Sequence, residues 1–421
     1  MKTLVLGCGQ LLTLAGPDRA RSGKEMSSLG LIRDGAVLIE DGVIALSGMR
    51  ELVMRDERVE KARIVDAGGR VVLPGFVDSH SHPVFASPRL DDFEKRLAGA
   101  TYERIASEGG GILSTVNAVR GSALPALVEG LVARAALFLK CGTTTLEAKS
   151  GYGLDLENEL KMLRAIRQAG ERTPLSFAAT FIGAHAVPPE LKDRRQDYVA
   201  RVCDDMIPAV SREKLAAFAD VFCEDGYFTL EDSGRIFEAA ARHGLKLKIH
   251  SEQLSRGGSV ALAVKAGAAS CDHLDFANDE DAALLAASGT VACLVPGSNY
   301  FIGKPYPAAR RLIDAGAAVA LATDFNPGTC PCWDMRMILS ISCTQMKMSP
   351  AETLVAATFN GACALGLQKS VGSLEAGKQA DLVCYDAEDY RELPYYFGDS
   401  GAHWVMKKGA VVHSAVELTP R

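Results

Sequence analysis

The chain of 421 residues has little excess charge: 46 Lys and Arg stand against 52 Asp and Glu, a net charge of −6. It also lacks a Lys/Arg cluster with interleaved aromatics. Together these absences remove the electrostatic reason to expect a nucleic-acid partner. No stretch approaches the ~18 continuous apolar residues of a membrane span, so no membrane partner is expected. A nucleotide-binding loop is absent as well. Eleven cysteines are scattered and odd in number, and a chain this long needs no disulfides to hold a core. Leu6-Gly7-Cys8 after Lys2 faintly suggests a lipoprotein signal, but the apolar run is far shorter than the roughly 7–15 residues of a signal core. Reduced thiols and a cytoplasmic location are expected.

What is present is ordinary globular composition, 48% hydrophobic and 23% charged, at a length that suits an α/β barrel with an appendage. Residues 1–72 read as short strands and turns. "AVLIEDGVIALSG" is two apolar runs joined at Glu40-Asp41-Gly42, a hairpin signal, and "ARIVDAGGRVVLPGF" repeats the pattern around Gly68-Gly69. Residues 369–421 behave alike, with "GKQADLVCYDAED" and then "HWVMKKGAVVHS" turning at Lys408-Gly409. Two β-rich ends around a long middle predict a small β-sandwich assembled from both termini.

The middle, residues 73–368, alternates between strand-like and helical patterns. Eight strands are predicted: "VVLPGFVDSHSH", "GTTTLEAKSGYG", "LSFAATFIGAH", "DVFCEDGYF", "LKLKIHSEQ", "AASCDHLDF", "TVACLVPGS" and "AVALATDFNPG". Between the second and third, Leu156, Leu160, Leu163 and Ile166 fall on one helical face, with Asp155 as cap and Gly170 at the end. Eight β/α units in a row predict a closed (β/α)8 TIM-type barrel with its active site at the strand C-termini.

Those strand ends hold five of the chain's eight histidines. Strand one ends at His80-Ser81-His82, strand three at His185, strand five at His250 and strand six at His273, while strand eight ends at Asp324. Alternate residues of a strand point the same way, so His80 and His82 can present both imidazoles to one point. With His250 and Asp324 they make three nitrogens and one carboxylate, a set that suits one divalent ion, zinc or iron. A lone HxH is a weak signal. Five strand-end histidines with a closing aspartate are hard to place in a barrel without a metal.

The first-strand "PGFVDSHSH", the histidines of strands five and six and the eighth-strand aspartate resemble the amidohydrolase superfamily. That resemblance implies the same β-sandwich of both termini. Longer blocks, "FEKRLAGATYERIASEGGGILSTV", "KSGYGLDLENELKMLRAIR", "TFIGAHAVPPE", "DVFCEDGYF", "DHLDFA" and "ATDFNPGTCP", look like the imidazolonepropionase family over nearly the whole chain. By position, the resemblance implies substrate contacts from Arg89, Tyr152, His185, Gln253, Asn326, Gly328 and Thr329. Arg89 is a fork-shaped cation suited to a propionate carboxylate, Gly328 permits close backbone approach, and the N–H and hydroxyl of Thr329 can donate to an anion. Gln253 stands where some relatives carry Glu, and a glutamine can orient a ring but cannot carry a proton. In some relatives a residue of strand four bridges two metals, which leaves Cys223 and Glu224 open as a bridge here. Phe325 replaces a leucine of some relatives and is expected to tighten the pocket.

The activity implied is opening of a cyclic lactam-like ring by metal-activated water, with Asp324 as proton carrier, His273 as donor to the carbonyl and Gln253 beside them. The product would be N-formimidoyl-glutamate, in histidine degradation. A homodimer is an expectation from the resemblance alone. Another amidohydrolase, an aromatic-base deaminase or cyclic-amide hydrolase, would share the metal set and differ in the pocket, where a neutral base needs no Arg89 clamp. A non-catalytic binding protein on the same barrel would be expected to lack Asp324 or His273, and both are present. His243, His403 and His413 lie off the strand ends and read as surface or structural. Cys330 and Cys332 flank Pro331 and read as packing residues.

Overall fold

A computed structural model describes residues 2–101, 104–105, 108–398 and 401–415. Tyr102, Glu103, Ala106 and Ser107 of the "FEKRL…LSTV" block lie outside the described residues. The chain opens with β1 (Lys2–Leu12), β2 (Leu31–Glu40), β3 (Val43–Met49), β4 (Arg63–Asp66) and β5 (Val71–Pro74). β2 and β3 pair antiparallel across Asp41 and Gly42, both with positive φ, as the turn chemistry predicts. The segment around Gly68-Gly69 differs from expectation. β4 and β5 do not form a hairpin with each other; both lie parallel to β1, one beyond the other along it. An apolar-turn-apolar pattern cannot distinguish these pairings, because the partner strand lies elsewhere in the chain.

Eight barrel strands follow: β6 (Phe76–Asp78), β7 (Thr143–Lys149), β8 (Ser176–Ala184), β9 (Phe218–Cys223), β10 (Lys246–Ser251), β11 (Ser270–His273), β12 (Val291–Leu294) and β13 (Val319–Leu321). They pair in parallel in sequence order, and the barrel is closed beyond β6 and β13. There Asp324 N–H donates to His80 O (3.0 Å) and His82 N–H to Phe325 O (2.8 Å). The first barrel strand is shorter than predicted, because the chain changes sheets at Gly75. A Cβ at that position would lie 2.3 Å from the Thr144 side chain. Val71–Pro74 therefore belongs to the terminal sheet and Phe76–Asp78 to the barrel.

The chain ends in β14 (Leu382–Tyr385), β15 (Trp404–Lys407) and β16 (Ala410–Ser414). β14 pairs antiparallel with β5, so both chain ends share one eight-stranded mixed sheet. The sheet curls: Ile44 of β3 exchanges backbone hydrogen bonds with Gly377 and Lys378, just ahead of β14. Val5, Leu11, Val37, Ile39, Val72, Leu382, Trp404 and Met406 fill the space it encloses. The helix predicted between the second and third barrel strands spans Leu156–Gly170, with the Asp155 carboxylate accepting from Asn158 N–H. Leu160, Leu163 and Ile166 are buried, whereas Leu156 in the first turn is exposed. No helix among the described residues is long and apolar enough to cross a membrane.

Candidate active site and metal centre

Residues that alternate along the barrel strands point inward, and here many of them are polar. Glu147 and Lys149 of β7, Thr180 of β8, Asp220 of β9, Lys248 and His250 of β10 and Asp272 of β11 are all buried. At the C-terminal end of this polar core the predicted histidines converge. His82 Nε2 and His250 Nε2 face each other at 3.2 Å, and His80 Nε2 lies 3.7 Å from Asp324 Oδ1. Among the described residues four sets of donor atoms each lie within 4.8 Å of one another: His80-His82-Asp324, His80-His250-His273 and His82-His185-His250 at the strand ends, and His80-Glu147-Asp272 behind them.

The far side of two of these rings is held by carboxylates. His80 Nδ1 meets Asp272 Oδ2 at 2.6 Å, and His250 Nδ1 lies 3.1 Å from Asp220 Oδ2. A carboxylate at Nδ1 keeps the proton there and leaves the Nε2 lone pair facing the centre. Burial, reinforced by neighbouring cations and imidazoles, holds His80, His82 and His273 well below the ordinary histidine range. Burial likewise takes His185 to about 3. These imidazoles are neutral, the form that binds metal. His80 Nε2 is buried with no hydrogen-bond partner among the described residues. Two ligands about 2.0–2.1 Å from a tetrahedral ion sit roughly 3.3 Å apart, close to the His82–His250 separation. The residues fit a divalent cation.

Above this cluster opens a cavity of about 660 Å³. Of the residues singled out from the sequence, His82, Arg89, Tyr152, His185, His250, Gln253, His273, Asp324, Asn326, Gly328 and Thr329 line it, and His80 is fully buried. Arg89 Nε–H donates to Thr115 Oγ1 (2.7 Å), and its guanidinium lies 5.9 Å from the Tyr152 ring centre. A Cβ at position 328 would stand 2.3 Å from Arg89 Nη1, so the close approach that Gly328 permits is to this guanidinium.

Two expectations change. The Thr329 N–H, read as a donor to an anion, is taken by Asn326 Oδ1 (2.7 Å), which also accepts from Gly328 N–H (2.9 Å). Asn326 thus shapes the 326–329 turn from within. Phe325 does not line the cavity but packs behind it against Phe85, Phe138 and Trp333. The open question of a strand-four bridge also meets plain geometry. Glu224 accepts from the N–H groups of Gln253, Leu254 and Ser255, and Cys223 belongs to none of the donor sets found among the described residues.

Sequence reasoning missed Asp220, Asp272, Lys149 and Lys248 behind the ligands, and Thr115 behind Arg89. It also missed Asp275 and Asn299 on the cavity wall, where Asn299 Nδ2 donates to Asp275 Oδ1 (3.0 Å). The i, i+2 pairs Glu147/Lys149 and Lys248/His250 were the available signal, since charged residues alternating on a barrel strand must face one another inside.

Residues 71–412 match the amidohydrolase family. The chain is 45% identical over 412 residues to the imidazolonepropionase of Symbiobacterium thermophilum, spanning 97% of this chain and 96% of that one. It is 46% identical to that of Geobacillus kaustophilus, with 96% of each chain covered. The chain belongs to the amidohydrolase family, in its imidazolonepropionase group. The amidohydrolase fold extends to far more distant solved structures. Escherichia coli guanine deaminase superposes with a TM-score of 0.74 at 15% identity, over 99% of this chain and 100% of that one. A zinc-bound adenosine deaminase from Xanthomonas campestris gives 0.70 at 19%, over 99% and 94%. At such identities the likeness speaks for this amidohydrolase's barrel and terminal sheet alone.

Proposed function

We infer that this chain catalyses the hydrolytic ring opening of 4-imidazolone-5-propanoate to N-formimidoyl-L-glutamate, a step of histidine degradation. The observation that carries this reading is a single cavity lined both by imidazoles with Asp324 and by the Arg89 guanidinium. A ring with a propionate arm uses both ends. A neutral aromatic base, the substrate of a deaminase, has no use for the second. The shared name of the imidazolonepropionase relatives supports the same substrate.

His80, His82, His250 and Asp324 would hold one divalent ion, zinc or iron. Such an ion, when bound, supplies Lewis-acid chemistry, acidifying water and polarising a carbonyl. The remaining work falls to side chains. Arg89, steadied by Thr115, takes the carboxylate arm through its Nη groups, with the Tyr152 ring beside it. His185 and Gln253 border the ring, and the Gln253 amide orients it without accepting a proton at neutral pH. Asp324 takes the proton of the attacking water and returns it to the ring nitrogen as the C–N bond breaks. His273, whose Nδ1 has no hydrogen-bond partner among the described residues, donates to the carbonyl oxygen as negative charge develops there. Purified protein given 4-imidazolone-5-propanoate should form N-formimidoyl-glutamate without releasing ammonia. No turnover of that compound, together with ammonia release from an aromatic base, would replace this reading with the deaminase.

A further inference from the structure

Behind the histidines lies an ionic network that the reaction itself does not use. Its members are three carboxylates, Glu147, Asp220 and Asp272, and two ammonium groups, Lys149 and Lys248, all within the barrel and essentially without solvent exposure. Lys149 Nζ lies 2.6 Å from Asp220 Oδ2, 3.0 Å from Glu147 Oε2 and 3.7 Å from Asp272 Oδ2. The two aspartate oxygens it meets are the same atoms that face His250 Nδ1 and His80 Nδ1. Lys248 Nζ donates to Ser79 O (2.6 Å) and Glu147 Oε2 (2.8 Å) and lies 3.6 Å from Asp272 Oδ2. Among the described residues its ion pairs reach Glu147 and Asp272, and none of them reaches Asp220.

We propose that Lys149 is a positioning residue of the metal centre: one ammonium that ties together the carboxylates behind two different ligand histidines. The proposal rests on the assignment of His80 and His250 as ligands. A ligand imidazole is aimed by what holds its other nitrogen, and that holder is itself aimed by its remaining partners. Asp220 Oδ2 accepts from Lys149 Nζ–H (2.6 Å) and stands 3.1 Å from His250 Nδ1. Without the ammonium, the carboxylate is a buried anion short of a counter-charge, free to turn toward another donor. That turn releases His250 Nδ1 and lets the ring swing. Through Asp272 the same cation reaches His80, on a different strand, so it sets the two rings relative to each other. Burial alone would drive the Lys149 proton off, but Asp220, Glu147 and Asp272 outweigh burial and raise its pKa, so the side chain stays charged.

The test uses the full-length protein and the metals themselves. Zinc affinity is measured by chelator competition, and Co²⁺-loaded protein is examined by its visible absorption bands. Lys149→Met, a neutral side chain of similar length, should weaken zinc binding by about 10–100-fold, the usual cost of losing a partner behind a ligand. It should also change the cobalt spectrum and lower kcat more than it changes KM. Lys248→Met, equally buried but without contact to Asp220, should shift zinc affinity less. Removing one ammonium leaves the network more negative, and that variant can fail to fold. The double variant Lys149→Met/Asp220→Asn keeps the charge balance; it should fold and still bind zinc about as weakly as the single variant. Wild-type zinc affinity and cobalt spectrum in either folded variant would overturn the proposal and leave Lys149 as a packing cation. Equal losses in Lys149→Met and Lys248→Met would overturn the bridging role in favour of a general charge effect. Wild-type protein that binds no zinc would instead refute the ligand assignment on which the proposal stands.

Discussion

Arg89 enters the cavity with its Nε–H committed to Thr115 Oγ1, and among the described residues its Nη groups have no protein acceptor. A carboxylate can then meet two parallel N–H donors. Arg89→Lys keeps the charge but loses the fork and the Thr115 tether, so kcat/KM should fall by about 10–100-fold, equivalent to ~1–3 kcal/mol. An unchanged kcat/KM would put the arm elsewhere. Asp275 on the same wall tells a different story. Burial pushes its carboxyl to about 7, against the opposing hydrogen bond from Asn299 and the charge of Lys304. An acid whose folded pKa exceeds its unfolded value binds protons more readily in the folded state. Its charge therefore opposes folding, by nothing below about pH 4 and by a growing amount as the pH rises to about 7. Asp275→Asn retains the oxygen that Asn299 donates to. Denaturant titrations should find the variant more stable than wild type at pH 8, by ~1–3 kcal/mol, with the difference gone at pH 4. A constant difference across that range would show that the carboxyl's ionisation does not oppose folding.

Among the elements, one device recurs: a buried carboxylate gathers the backbone N–H groups of a nearby loop. Glu159, on the helix Leu156–Gly170, accepts from Gly151 (3.0 Å), Gly153 (2.8 Å) and Leu154 (2.9 Å), fixing the loop that carries Tyr152. Glu224 does the same for residues 253–255 and Glu252 for residues 257–259. Glu159→Gln puts an amide NH2 where N–H donors converge. KM should rise several-fold with kcat less affected, and urea titration should register a loss of ~1–3 kcal/mol. Unaltered kinetics with the same loss of stability would separate the loop from substrate binding. The strand-end histidines could be read from sequence because a barrel brings all its strand C-termini to one face, whatever the register. The helix at Leu156–Gly170 and the turns at Asp41-Gly42 and Lys408-Gly409 could be read because their signals are local. The carboxylates behind the metal could not. Asp220 meets His250 only through the register of the paired strands β9 and β10, and Asp272 meets His80 only across the barrel interior, 192 residues away in sequence, while a loop's backbone N–H groups leave no mark on residue type at all.

For the molecule as a whole, the metal centre and its ionic network lie at the heart of the barrel, so loading with metal is coupled to stability. Elemental analysis should find about one zinc or iron per chain. Verified metal-free protein should melt at a lower temperature and recover on adding Zn²⁺, since an ion present at 1,000 times its Kd contributes about 4 kcal/mol. An unchanged Tm would mean that the site forms no part of the folded state's stability, and two ions per chain would reopen Glu224 and Cys223 as a bridge. The terminal sheet has a consequence of another kind, for how the chain is made. β5 lies between β1 and β14 and pairs through Pro74–Leu382 and Val71–Tyr385. Some 300 residues separate these partners, so at roughly 5–20 residues per second the ribosome delivers β14 about 15–60 s after β5. Throughout that interval the apolar edge of Val71, Val72 and Leu73 is without its neighbour, the kind of edge that invites pairing with other nascent chains. Until β14 is made the terminal sheet stays open, and a ribosome that stops before it leaves a chain with an unpaired apolar strand edge.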